Sequence, residues 1–206
     1  MKTFCCAGLL FALVLFVVAG ASGIASQGTD SLPWSADRPL LWDDFQGQPP
    51  PQAQEMIEAA QIHMTIRRQL QLIMEYDCRL RQWTAIIETP SLTVTNAMIP
   101  SSSWVDRSGQ NSATLNHEQG HFDLNEVYRR KFQAALVPLT AQGATADDAE
   151  QALRALVDAV SESVLSWLAD AQARYDRETR HGTDPQAQAA WDKRIDTWLA
   201  SPDQAP

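Results

Sequence analysis

Leu115-Asn116-His117-Glu118-Gln119-Gly120-His121-Phe122-Asp123 is the stretch on which the reading of this chain turns. It contains His-Glu-x-x-His, two imidazoles four residues apart with a glutamate beside the first. On a helix, positions i and i+4 share a face, so both rings reach one metal ion. Glu118 sits one step round, close to whatever else that ion binds. Zinc hydrolases use two such histidines and a carboxylate that takes a proton from water on the metal. The pattern nominates His117 and His121 as ligands of one Zn2+ ion and Glu118 as the general base of a metallopeptidase.

The helical wheel supports this. At about 100° per residue, His117 and His121 fall with Leu124, Tyr128, Phe132 and Ala135, the stripe expected to face the core. Asp123, Glu126 and Arg130 fall opposite, with Glu126 and Arg130 spaced as an exposed i, i+4 pair. Two imidazoles and a carboxylate turned inward are costly without partners, and a metal supplies them. Gly120 costs this helix about 1 kcal/mol relative to alanine. Either something approaches the backbone there or its presence is incidental.

Catalytic zinc normally has three protein ligands and one water. Asp123 lies about 140° from the two histidines on the wheel, so the third ligand is expected from a later segment. His181 is the first candidate, since only it and His63 lie outside the motif, and Gly182 marks a turn that re-aims a side chain. His63 falls on the polar parity of a strand. The rival is a carboxylate: Glu150, Asp158 or Glu162 on the helix that follows, or Asp176 just before the turn.

Around the motif, the chain reads as an exported protein. Lys2 precedes an apolar run, Leu9 to Val18, of about ten residues, too short to span a bilayer. Small residues after it suggest a leader, 1–25, cleaved after Ala21 or Ala25, leaving roughly 180 residues in the secreted or periplasmic space. No later apolar run is long enough for stable membrane insertion. The formal charge is −9; losing Lys2 with the leader makes it −10, which argues against a nucleic-acid partner. Cys78 is the one cysteine beyond the leader, so a disulfide framework is excluded, and a small buried hydrophobe is the expected role.

Periodicity divides the chain. Ala60 to Arg67 alternates as a half-buried strand, Trp83, Ala85 and Ile87 share a parity, and Ser91 to Asn96 follows the Thr89-Pro90 turn. Residues 26–39 read as a short N-terminal segment, and Trp42 to Gly47 with Pro49-Pro50-Pro51 as an irregular entry. The motif helix is expected from Ser112 or Thr114 to about Val137. A capping box at Thr145 to Asp148 opens a long helix carrying Leu153, Leu156, Val157, Val160, Val164, Leu168, Ala171 and Tyr175. Asp184-Pro185 opens a last helix, and residues 201–206 read as a frayed, disordered tail. The fold class is α+β: a small antiparallel sheet in the N-terminal half packed on the motif helix, then two or more C-terminal helices, in a single domain over 40–200.

Four blocks, in this order, resemble a bacterial family of predicted secreted zinc-dependent proteases, long catalogued as a domain of unknown function. They are Leu41-Trp42-Asp43-Asp44-Phe45-Gln46-Gly47, Trp104-Val105, Leu115 to Asp123, and Tyr175 to Gly182 with Gln186, Gln188 and Trp191 beyond. The resemblance covers Leu40 to about Leu199. It implies a zincin-like fold, carries His117, Glu118 and His121 directly, and strengthens His181.

The expected activity is hydrolysis of a peptide or protein substrate. Glu118 takes the proton of water and returns it to the leaving amine. Tyr128 and Tyr175 are considered as oxyanion donors, with core packing as the alternative, and Leu92 to Asn96 as a strand that pairs with substrate. The alternative function is a non-enzymatic, metal-stabilised periplasmic binding module, its metal closed by four protein ligands.

Overall fold

The computed structural model describes residues 30–51, 53, 59–106 and 109–206. The expected leader and both cleavage points lie outside these residues. The fold is α+β, with small antiparallel ladders and three helices. Among the described residues the strands are β1 (Leu32–Pro33), β2 (Ala60–Gln61), β3 (Met64–Gln69), β4 (Leu72–Asp77), β5 (Gln82–Ile87), β6 (Thr93–Met98), β7 (Trp104–Val105) and β8 (Thr140–Gly143). They pair in the orders β1-β6-β3, β2-β7 and β4-β5-β8.

The alternating segment from Ala60 to Arg67 is two strands in different ladders, because side chains from distant parts of the chain take the backbone groups between them. The Ile62 N–H donates to Glu118 Oε2 at 2.9 Å, and the His63 N–H donates to Ser103 Oγ at 2.9 Å. Sheet structure also extends past the N-terminal half. β8 lies after the motif helix and closes the edge of β5, pairing Trp83 with Gly143 through Ile86 with Thr140.

Helix α1 (Ser112–Leu136) begins where the Asn111 side chain accepts the N–H groups of Ala113 and Thr114, donors that a helix start leaves unpaired. Helix α2 (Ala146–Thr179) has the reciprocal Thr145–Asp148 box, and α3 (Pro185–Ala200) is capped by Asp184 with proline first. α2 runs antiparallel to α1, setting His117 against Asp176 and His121 against Gln172. α3 runs parallel to α1, from the His117–Gln188 contact to Arg130 on the Leu199 carbonyl.

α1 is buried on two sides. Leu124, Val127, Tyr128, Phe132 and Leu136 join Leu153, Val157, Val164, Leu168, Tyr175 and Trp191 in one cluster. Phe122 joins Leu40, Phe45, Ile62 and Met98 in another. The face expected to be exposed is therefore covered. Glu126 is 4% exposed, its carboxylate held by Arg129 at 2.9 Å and Arg130 at 2.8 Å. Asp123 accepts the Trp34 indole N–H at 2.7 Å, which ties the short N-terminal segment to α1.

Three further expectations change. Residues 201–206 dock: Ala205 is buried, Tyr128 donates to the Pro206 carbonyl at 2.8 Å, and Lys131 donates to the Ala205 carbonyl at 2.6 Å. Cys78 is exposed, because it sits in the polar β4–β5 turn where Asp77 accepts the Arg79 and Leu80 N–H groups. Leu156, counted in the α2 stripe, faces outward. No helix among the described residues is long and apolar enough to cross a membrane.

Candidate functional site

The site forms where the first turns of α1 meet the last turns of α2. His117 Nε2 lies 3.1 Å from Asp176 Oδ1, His121 Nε2 lies 2.8 Å from the same oxygen, and the two Nε2 atoms are 3.2 Å apart. Among the described residues, these are the His, Cys, Asp or Glu side chains that gather as a group able to hold a metal ion. Tetrahedral ligands about 2.0–2.2 Å from one ion stand roughly 3.3–3.5 Å from one another, so this triangle needs only slight expansion to receive one. Two imidazoles and a carboxylate also form a familiar three-ligand set for a catalytic metal. The residues fit the group.

Asp176, and not His181, shares this focus. Gln172 and Asp176 are themselves four residues apart, so they share one face of α2 and meet the His117–His121 face of α1. His181 has left the helix. Arg180 closes α2 in the left-handed region at φ 52°, and His181 follows at φ 53°. This turn sends the His181 ring to the cavity rim, with Nδ1 at 3.7 Å from Asp176 Oδ1. Gly182, at φ 77°, lies flat on His117, where a Cβ would come within 2.8 Å of the His117 Cβ. Only glycine gives both that backbone angle and that approach. The other rivals lie elsewhere: Glu150 pairs with Arg154 at 2.7 Å and Asp158 with Arg68 at 2.6 Å.

Each histidine is also held at its far side. Gln188 Oε1 is 3.2 Å from His117 Nδ1, and Gln172 Oε1 is 2.6 Å from His121 Nδ1. The His117 ring stacks on Tyr175, centroids 4.7 Å apart, and Tyr175 in turn meets Trp191 edge-on. Tyr175 is fully buried, donates to the His117 carbonyl at 3.1 Å and accepts from Gln188 Nε2 at 2.7 Å. Burial pushes its phenol far above the usual range. Tyr128 is committed to Pro206. Neither tyrosine is presented as an oxyanion donor.

Gly120 is explained by the same packing. A Cβ on it would lie 2.1 Å from the Tyr175 hydroxyl, so the glycine is what lets α2 approach the motif.

Glu118 is 3% exposed and accepts the Ile62 N–H. Burial raises its pKa, against the opposing pull of His121, His117 and that N–H. For Asp176, burial also acts upward, but hydrogen bonds with His117 and His121 prevail and hold it well below the carboxylate range. For His121, burial acts downward, and the bond to Asp176 with the charge of Glu118 reverses it, so the net direction is up. A proton or a metal cation is thus favoured between these groups.

The group opens onto a cavity of about 250 Å³, walled by Ala60, Gln61, Ile62, Met64, Thr114, His181 and Thr183. The strand segment beside it is β2. β6, which carries most of Leu92 to Asn96, lies inside its sheet between β1 and β3. His63 is exposed, as its parity suggests.

A helix-borne pair of histidines, closed by an aspartate from a second helix beside a cavity, defines the protein as one with a candidate metal centre. The chain belongs to a family of bacterial proteins of unknown function, DUF922, whose model matches residues 60–182. Neither the comparison with curated proteins nor that with solved structures gave a match. The matched stretch contains His117, Glu118, His121, Asp176 and His181, and ends before α3.

Proposed function

We propose that the protein is an exported zinc-dependent peptidase of zincin-like build, with His117, His121 and Asp176 as metal ligands and Glu118 as general base. The observation that carries this reading is the convergence of the two Nε2 atoms and Oδ1 within 3.2 Å of one another at the floor of a cavity that Glu118 also lines. When bound, zinc supplies Lewis acidity, polarising a carbonyl oxygen and lowering the pKa of water towards about 7.

The chain does the rest. Asp176 brings the negative charge that two neutral imidazoles lack. Glu118, held by the Ile62 N–H, takes the proton of the attacking water and delivers it to the departing amine. β2, beside the cavity, offers backbone to an extended peptide. Export rests on the leader pattern of residues 1–25.

The test is metal analysis of the purified protein, with a peptide-library digestion assay on wild type and Glu118→Gln. Expected are one zinc per chain in both and turnover in wild type alone, reduced at least about 100-fold in the variant. Equal turnover removes Glu118 from the chemistry. His181, 3.7 Å from Asp176, gives the rival reading its observation: a fourth ligand that closes a structural metal. X-ray absorption showing four protein ligands, three histidines with Asp176 and no water on the bound ion, favours that binding module over the enzyme.

A further inference from the structure

We propose that Gln172 and Gln188 are positioning residues that clamp the motif histidines from opposite sides, fixing both as Nδ1–H tautomers so that their Nε2 lone pairs face Asp176. This rests on the metal reading above and adds to it the device that would prepare the site. It is carried by hydrogen-bond direction.

Each amide is oriented by what lies at its nitrogen end. Gln188 Nε2 donates to Asp192 Oδ1 at 2.8 Å and to the Tyr175 hydroxyl at 2.7 Å. Gln172 Nε2 donates to the His121 carbonyl at 3.0 Å. A carboxylate and a carbonyl only accept, so neither amide can be reversed without facing lone pair to lone pair. The oxygen ends therefore face His117 Nδ1 at 3.2 Å and His121 Nδ1 at 2.6 Å. An amide oxygen also only accepts, so both Nδ1 atoms must carry hydrogen, and in a neutral imidazole the Nε2 is then a bare lone pair. The two Nε2 atoms and one carboxylate oxygen stand within 3.2 Å of one another, so a proton lies between them until a metal cation takes its place on the Nε2 lone pairs.

The clamp is braced. Asn116 Nδ2 donates to Asp192 Oδ2 at 3.1 Å, so a chain of bonds runs from α1 through Asp192 and Gln188 back to His117. Gln188 is 6% exposed, too buried to choose another partner from water. Gln172 comes from α2 and Gln188 from α3. The site thus draws on a helix beyond the matched stretch 60–182.

The test uses the whole chain with Gln172→Met and Gln188→Met, which keep volume and lose the acceptor, and Gln172→Glu, which keeps an acceptor. Zn2+ and Co2+ affinities are measured by chelator competition, the Co2+ absorption spectrum is recorded, and 15N NMR reads the ring tautomers of the metal-free protein. Each Met variant is expected to lose about 10–100-fold in affinity, to shift the Co2+ spectrum, and to lose Nδ1–H on the histidine it faces; Gln172→Glu should recover most of the loss. Folded Met variants with wild-type affinity, spectrum and tautomers overturn the clamp. Nδ1 without hydrogen on either motif histidine in wild type overturns it without any substitution, so a variant that fails to fold does not leave it undecided. If wild type takes up neither metal, the metal reading fails separately, and the tautomers alone decide the clamp.

Discussion

At the scale of single residues, the site depends on which side chains can stand close to His117. Asp176 reaches both motif imidazoles, whereas His181 approaches through Asp176 from the rim. Asp176→Asn should therefore cost at least about tenfold in metal affinity, about 1.4 kcal/mol, while His181→Ala keeps the metal; chelator titration of the two variants compares them directly. Gly120 gives a second measurement. Alanine there gains about 1 kcal/mol of helix propensity, but its Cβ would meet the Tyr175 hydroxyl at 2.1 Å. Tyr175 is fully buried and bonded at its oxygen, so it cannot yield. Gly120→Ala should destabilise by about 1–3 kcal/mol net of that gain, as overpacking does, read as a lower midpoint in urea. The glycine was legible in the sequence as an anomaly; the tyrosine that explains it was not.

At the scale of elements, helix ends were the most readable features, because caps are local chemistry. Asp184-Pro185 and the Thr145 box act where their residue types suggest. Asn111 went unread, yet it starts α1 nearly two turns before the motif, accepting two N–H groups. Asn111→Ala should lower stability by about 1 kcal/mol, measured by urea unfolding with metal present. Strands were less legible. β2 and β3 form one alternating run in sequence, and what separates them is a glutamate and a serine that take the Ile62 and His63 N–H groups from distant parts of the chain. β8 and the docked end at 201–206 depend on partners, β5 and α1, that no local pattern announces.

At the scale of the whole molecule, metal and fold should be coupled, since the proposed ligands tie α1 to α2 and their bracing glutamines add α3. An ion that binds only the folded chain stabilises it by about 2.7 kcal/mol at a free concentration 100 times its Kd. Chelation should therefore lower the melting temperature, and restored Zn2+ should raise it in a concentration-dependent way; calorimetric scans that do not move with metal would count against a site of this kind. The covalent order of His117, Glu118 and His121 determined by itself that two imidazoles share a helix face with a carboxylate beside them, because helical geometry needs nothing beyond i and i+4. Only the tertiary structure decided what closes the group. The pairing of Asp176 and Gln172 with the motif depends on the antiparallel register of α2 against α1, and that register is set by packing around Gly120, Tyr175 and Trp191, residues far apart in the chain.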